Sequence, residues 1–219
     1  MLRLLFQKSG NAVWISHLDL MRVFQRAFKR AKLPLTHTQG FNPRASVSIA
    51  LPLSVGIESD CELLDFELET DTFCCDEICQ RLNEALPAGV AALQVYDSER
   101  KLKHLAYARY VLTLEYDNGV STDLASEIEK LFTVESLIVP KKSKNGVVEQ
   151  DVIPLIKEMV IKNHDLNTLK MNVLVCCQNP VLNPTQIIAA ISLQRPELKP
   201  DFASCKRLEI FDEEYNVFR

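Results

Sequence analysis

The sequence predicts an α+β fold built as two halves, each an antiparallel sheet with two helices on one face. Three observations predict it: an average composition, the element order β-α-β-β-α-β over residues 1–98, and a second run of that order over residues 99–219. The 219 residues are 47% hydrophobic and 25% charged, the balance of a soluble globular chain rather than of a disordered, collagenous or coiled-coil one. Domains usually run to about 100–150 residues, so the length accommodates two. The longest uncharged apolar stretches, residues 173–177 and 187–193, fall well short of the roughly 20 that cross a bilayer. Residues 1–8 lack the apolar core and cleavage site of a secretory signal, so a cytoplasmic protein with no membrane partner is expected.

The elements follow from local pattern. Leu2-Arg3-Leu4-Leu5-Phe6 reads as a strand ending at the turn Lys8-Ser9-Gly10-Asn11. Ser16 followed by Asp19 is an N-cap signature, and helical periodicity then runs over residues 18–32 until Pro34 forbids continuation. After a loop at 36–46 comes a strand at 47–51. Another lies at 61–69, where Leu64, Phe66 and Leu68 alternate with Asp65, Glu67 and Glu69 to give an acidic outer face. A helix at 76–86 closes at Pro87 and Gly89, and residues 90–95 form the fourth strand. In the second half, Tyr110, Leu112, Leu114 and Tyr116 alternate along a strand, and residues 122–132 read as a helix. A strand at 134–139 leads into the basic turn Pro140-Lys141-Lys142-Ser143-Lys144-Asn145-Gly146. Strand 168–177, helix 184–193 with Pro184 in its first turn, and strand 207–211 complete the half. Residues 147–163 are an insertion, of which 158–163 pairs with the strand that follows. Two split β-α-β units of this kind are tandem ferredoxin-like halves, joined near residues 98–103, with no visible sequence repeat between them.

Charge is distributed unevenly. Residues 1–56 carry eight basic side chains against the single acid Asp19, a charge of +7, whereas residues 57–100 carry two against twelve acids, a charge of −10. The first third is thus a candidate footprint for a polyanion, unless the two regions neutralise each other within one domain. The seven cysteines include the adjacent pairs Cys74-Cys75 and Cys176-Cys177 and form no disulfide framework. Cys75 and Cys79 share a helix face, but two ligands do not complete a tetrahedral metal site, and the three-cysteine spacing of a radical-SAM cluster is absent. No metal or cofactor is expected, and the thiols read as inert.

The first helix holds the main site candidates. At about 100° per residue, Arg22, Arg26, Lys29 and Arg30 fall within about 100° of Asp19 and form a basic stripe opposite Leu20, Met21, Phe24, Ala27, Phe28 and Ala31. Such a stripe neutralises phosphates, although many charge runs are only a solvated face. His17 falls on the apolar side, away from the arginines; it is the one candidate acid or base. In the loop Gln39-Gly40-Phe41-Asn42-Pro43-Arg44, Phe41 is suited to stacking on a base and Arg44 to a forked hold on a phosphate, with Asn42 between them. The structural alternative has Phe41 plugging the core and Arg44 paired with Glu58 or Asp60.

Three segments occur in order: Ser16-His17-Leu18-Asp19-Leu20-Met21, Gln39-Gly40-Phe41-Asn42-Pro43, and Ala50-Leu51-Pro52-Leu53-Ser54-Val55-Gly56-Ile57-Glu58-Ser59. Together they resemble the radical-SAM-linked family of unknown function. Members stand alone or extend the C-terminus of radical-SAM proteins that carry a cobalamin-binding-like domain. The match is close over most of residues 1–95, and Asp151-Val152-Ile153-Pro154-Leu155-Ile156 is similar to a recurring segment of the second half. Members often carry a basic residue near position 46, where this chain has Ala45-Ser46. The resemblance implies a radical-SAM partner and assigns no activity. A looser analogy of fold alone links paired ferredoxin-like halves to CRISPR-repeat endoribonucleases. The leading expectation is a non-catalytic RNA-binding accessory module in RNA modification or processing. One alternative is an enzyme with acid/base chemistry at His17 beside Asp19, Asn42 and Arg44. Another is a protein adaptor that docks through Asp65, Glu67 and Glu69 without nucleic acid.

Overall fold

Alternation of apolar and polar residues places the first strand in a sheet, and the computed structural model, which describes residues 1–143 and 146–219, gives it two antiparallel neighbours. The chain divides into two units, Met1–His104 with Arg219, and Leu105–Phe218. Among the described residues the fold is mixed α and β, with mostly antiparallel strands and four α-helices. None of those helices is long and apolar enough to cross a membrane.

The first unit runs β1 (Leu2–Lys8), α1 (His17–Arg30), β2 (Val47–Ile49), β3 (Ile57–Phe66), α2 (Cys75–Ala85) and β4 (Val90–Asp97). Its strands lie in the order β4-β1-β3-β2, antiparallel throughout, with Leu4 opposite both Leu64 and Val95. Leu4 and Phe6 of β1 and Leu64 and Phe66 of β3 share one face and pack under Phe24, Phe28, Ile78 and Leu82 of the two helices. Phe6 meets Phe24 edge-on at 4.7 Å and Phe28 lies 4.9 Å from Phe66, so aromatic pairs clamp α1 to the sheet. Odd positions of β1 face the other way: Arg3 is buried and holds Asp65 directly across the strand pair at 2.6 Å.

That pairing corrects the expected acidic strand face. Asp65 is half-buried and neutralised by Arg3, so it is no part of an exposed acidic face; β3 ends at Phe66, but the alternation runs on, with Leu68 packed against the core and Glu67 and Glu69 exposed. Glu67 instead accepts from the hydroxyls of Thr36 and Ser46 at 3.5 and 3.4 Å.

The second unit runs β5 (Leu105–Glu115), α3 (Leu124–Leu131), β6 (Ile138–Ser143), β7 (Gly146–Asp151), β8 (Ile156–Asn163), β9 (Thr168–Cys176), α4 (Thr185–Gln194) and β10 (Phe202–Asp212). The order is β10-β5-β9-β8, again antiparallel, while β6 and β7 pair only with each other. The strand expected at 134–139 begins at Ile138, and the expected basic turn is instead the β6 strand up to Ser143. Lys144 and Asn145 of that turn lie outside the described residues. The insertion supplies most of β7 and all of β8, which pairs with β9 as expected; β8 therefore takes the place in the sheet expected for the strand at 134–139, which pairs only with β7.

Candidate nucleic-acid interface

Two local devices set the entry to α1. Ser16 caps the helix: its Oγ accepts from the Asp19 backbone N–H at 3.2 Å and donates to Asp19 Oδ2 at 2.7 Å. The bonds from Ser16 and then from Arg22 hold the Asp19 carboxyl below the usual carboxylate range. Just before the cap, the buried Lys8 side chain donates from Nζ to the Ile15 carbonyl at 3.0 Å, tying the start of the helix to β1. Burial pulls the Lys8 pKa down, and the Glu62 carboxylate opposes that shift.

The opposite wall is the loop between α1 and β2. Thr36 and Ser46 close its base through Ser46 N–H to Thr36 O at 2.8 Å, and His37 bridges to Ala45. Thr38 then clasps Arg44 twice, through Thr38 N–H to Arg44 O at 2.8 Å and Arg44 N–H to Thr38 Oγ1 at 3.0 Å. The tip, residues 39–43, stands clear of the sheet. Gly40 adopts φ of +146°, a conformation open to glycine and strained for other residues.

Between helix and loop lies a groove of about 1020 Å³. Its floor is apolar, formed by Met21, Leu35 and Val47 over the buried Phe28 and Leu33, with the exposed Leu18 beside it, and its polar wall carries His17, Arg22, Gln25, Lys29, His37, Arg44 and Glu69. Arg22 is paired with Asp19 at 2.7 Å, whereas Lys29 and Arg44 make no ion pair among the described residues.

The structure splits the stripe. Arg22 and Lys29 face the groove, but Arg26 and Arg30 do not line it, and Arg30 donates to the Ala85 carbonyl at 2.5 Å beside α2. At about 100° per residue the groove follows the flank through Leu18, Arg22, Gln25 and Lys29, which straddles the boundary between the basic and apolar arcs. The same geometry brings His17 into a groove with Arg22 and Lys29, so the expected separation of His17 from the basic residues is corrected. His17 is half-buried rather than enclosed by the core. Phe41 is 100% exposed, which overturns its reading as a core plug, and Asn42 is exposed and outside the groove. Arg44 does not pair with Glu58, whose Oε1 accepts from the Gly10 N–H at 3.3 Å. His37 and Gln25 were not singled out by the sequence, and Glu69 was marked only as part of an acidic strand face; no periodicity marks residues that meet only when a loop folds against a helix flank.

Among the described residues no group of three histidine, cysteine or acidic side chains is placed to hold a metal ion, and all seven cysteines are free thiols.

Residues 1–184 match the model of a family described as "Uncharacterized protein conserved in bacteria (DUF2344)". The chain belongs to this family. No curated protein matches it. Among solved structures, this DUF2344 member is similar to a chain in a "Cbf5-Nop10-Gar1 Complex", at 11% identity and a TM-score of 0.49, over 97% of this chain and 50% of that one. It is also similar to a chain of an "archaeal box H/ACA sRNP Nop10-Cbf5 complex", at 10% identity and a TM-score of 0.45, over 94% and 46% of the two chains. The DUF2344 chain thus spans about half the length of these two. A third likeness is to "an Unknown Protein from Galdieria sulphuraria", at 11% identity and a TM-score of 0.27, over 94% and 96% of the two chains.

Proposed function

We propose that this protein is a non-catalytic RNA-binding module of the cytoplasm that serves a radical-SAM partner, with the groove beside α1 as its RNA site. One observation carries the reading: Arg22, Lys29 and Arg44 converge from a helix and a loop on one groove, and two of the three carry no ion-pair partner among the described residues. Unneutralised cations in a concave surface release counterions when phosphates bind, which gives both affinity and a steep dependence on salt. Each unit is taken as a ferredoxin-like half, a reading supported by the matching strand orders β4-β1-β3-β2 and β10-β5-β9-β8. The radical-SAM partner rests on the resemblance of the three N-terminal motifs.

The test is fluorescence anisotropy with labelled structured RNA over a salt series. Binding with a negative log–log slope, reduced by about one in the Arg44→Ala variant, is the expected outcome. Absence of binding at about 50 mM salt would remove the reading. Capture of a radical-SAM protein from lysate after nuclease treatment tests the partner separately.

A second reading makes the groove an acid/base site. It is favoured by the placement of His17 and His37 in the same groove as Arg44. Incubation of RNA with the wild-type chain and with a His17→Gln, His37→Gln double variant decides it: cleavage or modification that only the wild type performs would displace the non-catalytic reading.

A further inference from the structure

Resting on the RNA reading, we infer that the groove takes an unpaired nucleotide, its base in the apolar floor and its phosphates on the cationic wall, with Glu69 favouring bases that carry an exocyclic amino group. The floor and the wall make different demands on an occupant. Arg22, Lys29 and Arg44 call for phosphates, which a duplex and a single strand supply equally. Met21, Leu35 and Val47 call for an apolar face of molecular size, and a duplex keeps its bases stacked inside, where the floor cannot reach them. A free strand satisfies both, because an unstacked base presents its π-face while the backbone continues along the wall. The volume of about 1020 Å³ stands at the upper end of the roughly 300–1,000 Å³ typical of pockets that engulf small organic ligands, so it has room for a base and its sugar.

Glu69 supplies the selectivity. It is the one carboxylate in the groove wall, its backbone N–H is fixed to the Pro34 carbonyl at 2.9 Å, and its side chain makes no ion pair among the described residues. An ionised carboxylate repels phosphate and only accepts hydrogen bonds. On a base it can accept from an exocyclic amino group, present on adenine, cytosine and guanine, whereas uracil offers only its ring N3–H, flanked by two carbonyl oxygens that repel the carboxylate.

The experiment is anisotropy of the full chain with labelled oligoadenylate, oligouridylate and a blunt RNA duplex, at about 50 and 200 mM salt. Oligoadenylate is expected to bind about 10-fold or more tighter than the duplex, the range set by one stacked base. Met21→Gln, which makes the floor polar at nearly constant side-chain volume, should reduce that preference and leave the salt slope intact. Glu69→Gln, at an exposed position that folding does not depend on, should narrow the gap between oligoadenylate and oligouridylate, since an amide also donates to uracil. Equal binding of strand and duplex, or an unchanged base preference in Glu69→Gln, overturns this inference while leaving the RNA reading in place. Failure of all three probes at about 50 mM salt removes both.

Discussion

Individual residues in the first unit do work that composition conceals. Arg3 and Lys8 count towards the basic N-terminal third, yet both are buried, Arg3 against Asp65 and Lys8 against the Ile15 carbonyl, so neither belongs to a polyanion footprint. A buried cation without its acceptor is expensive, which is why each is matched to a fixed oxygen. Gly89 is set as tightly. It sits at φ of +86°, its carbonyl accepts the Ser9 N–H at 2.8 Å, and an added Cβ would lie 2.4 Å from the Ser9 carbonyl oxygen and 2.9 Å from Ala12 Cβ. Gly89→Ala therefore combines backbone strain with a clash against main chain, and a loss of about 2 kcal/mol or more is expected. Urea unfolding reads it directly, and an unchanged midpoint would mean that the turn after Ser9 is free to move aside.

At the scale of elements, α1 joins fold and site. Its cap was readable from Ser16 and Asp19, and the bonds are those the spacing requires. Ser16→Ala removes the acceptor for the Asp19 N–H, and a loss of about 1 kcal/mol is expected. Because the cap also orients the first turn, where His17 and Leu18 enter the groove, the same variant should weaken RNA binding while leaving the salt slope unchanged, since no groove cation is lost. Anisotropy at two salt concentrations beside a urea titration separates the two effects; full stability in Ser16→Ala would show that packing of Phe24 and Phe28 alone holds the helix. The helix wheel, by contrast, was misleading about the site. It sorted residues into a wet and a dry side, but a groove forms at the seam between them, so two of the four stripe residues lie elsewhere.

For the whole molecule, pH dependence is set by groups that burial keeps protonated. Desolvation raises the Cys177 and Cys205 thiols to about 12, against the opposing pull of the Arg207 guanidinium, and raises the Tyr116 phenol to about 12, with Asp201 adding to it. These groups hold their protons in the folded chain while the unfolded chain sheds them above about pH 9 for thiols and about pH 10 for the phenol. Stability is then fully present below pH 9 and falls as pH rises towards 12, by roughly 1.4 kcal/mol per thiol at pH 10. Thermal melting under reducing conditions at pH 7.5 and pH 10 should show the fall, and a Cys177→Ala, Cys205→Ala variant should flatten it; an equally steep fall in that variant would place the cause elsewhere. What the sequence by itself determined was the order of strands and helices in the first unit, the cap of α1 and membership of a family of unknown function, because alternation, capping residues and linked motifs act over neighbours in the chain. Strand ends drifted where β-propensity and turn signals overlap: β10 begins at Phe202 rather than residue 207, and β6 runs through residues that read as a turn. Only the tertiary structure decided which cations are spent inside, which reach solvent, and that His17, His37, Arg44 and Glu69 share one groove. Those outcomes depend on contacts between residues far apart in sequence, where burial selects an ion partner and a loop chooses its helix flank, and no local pattern encodes such a choice.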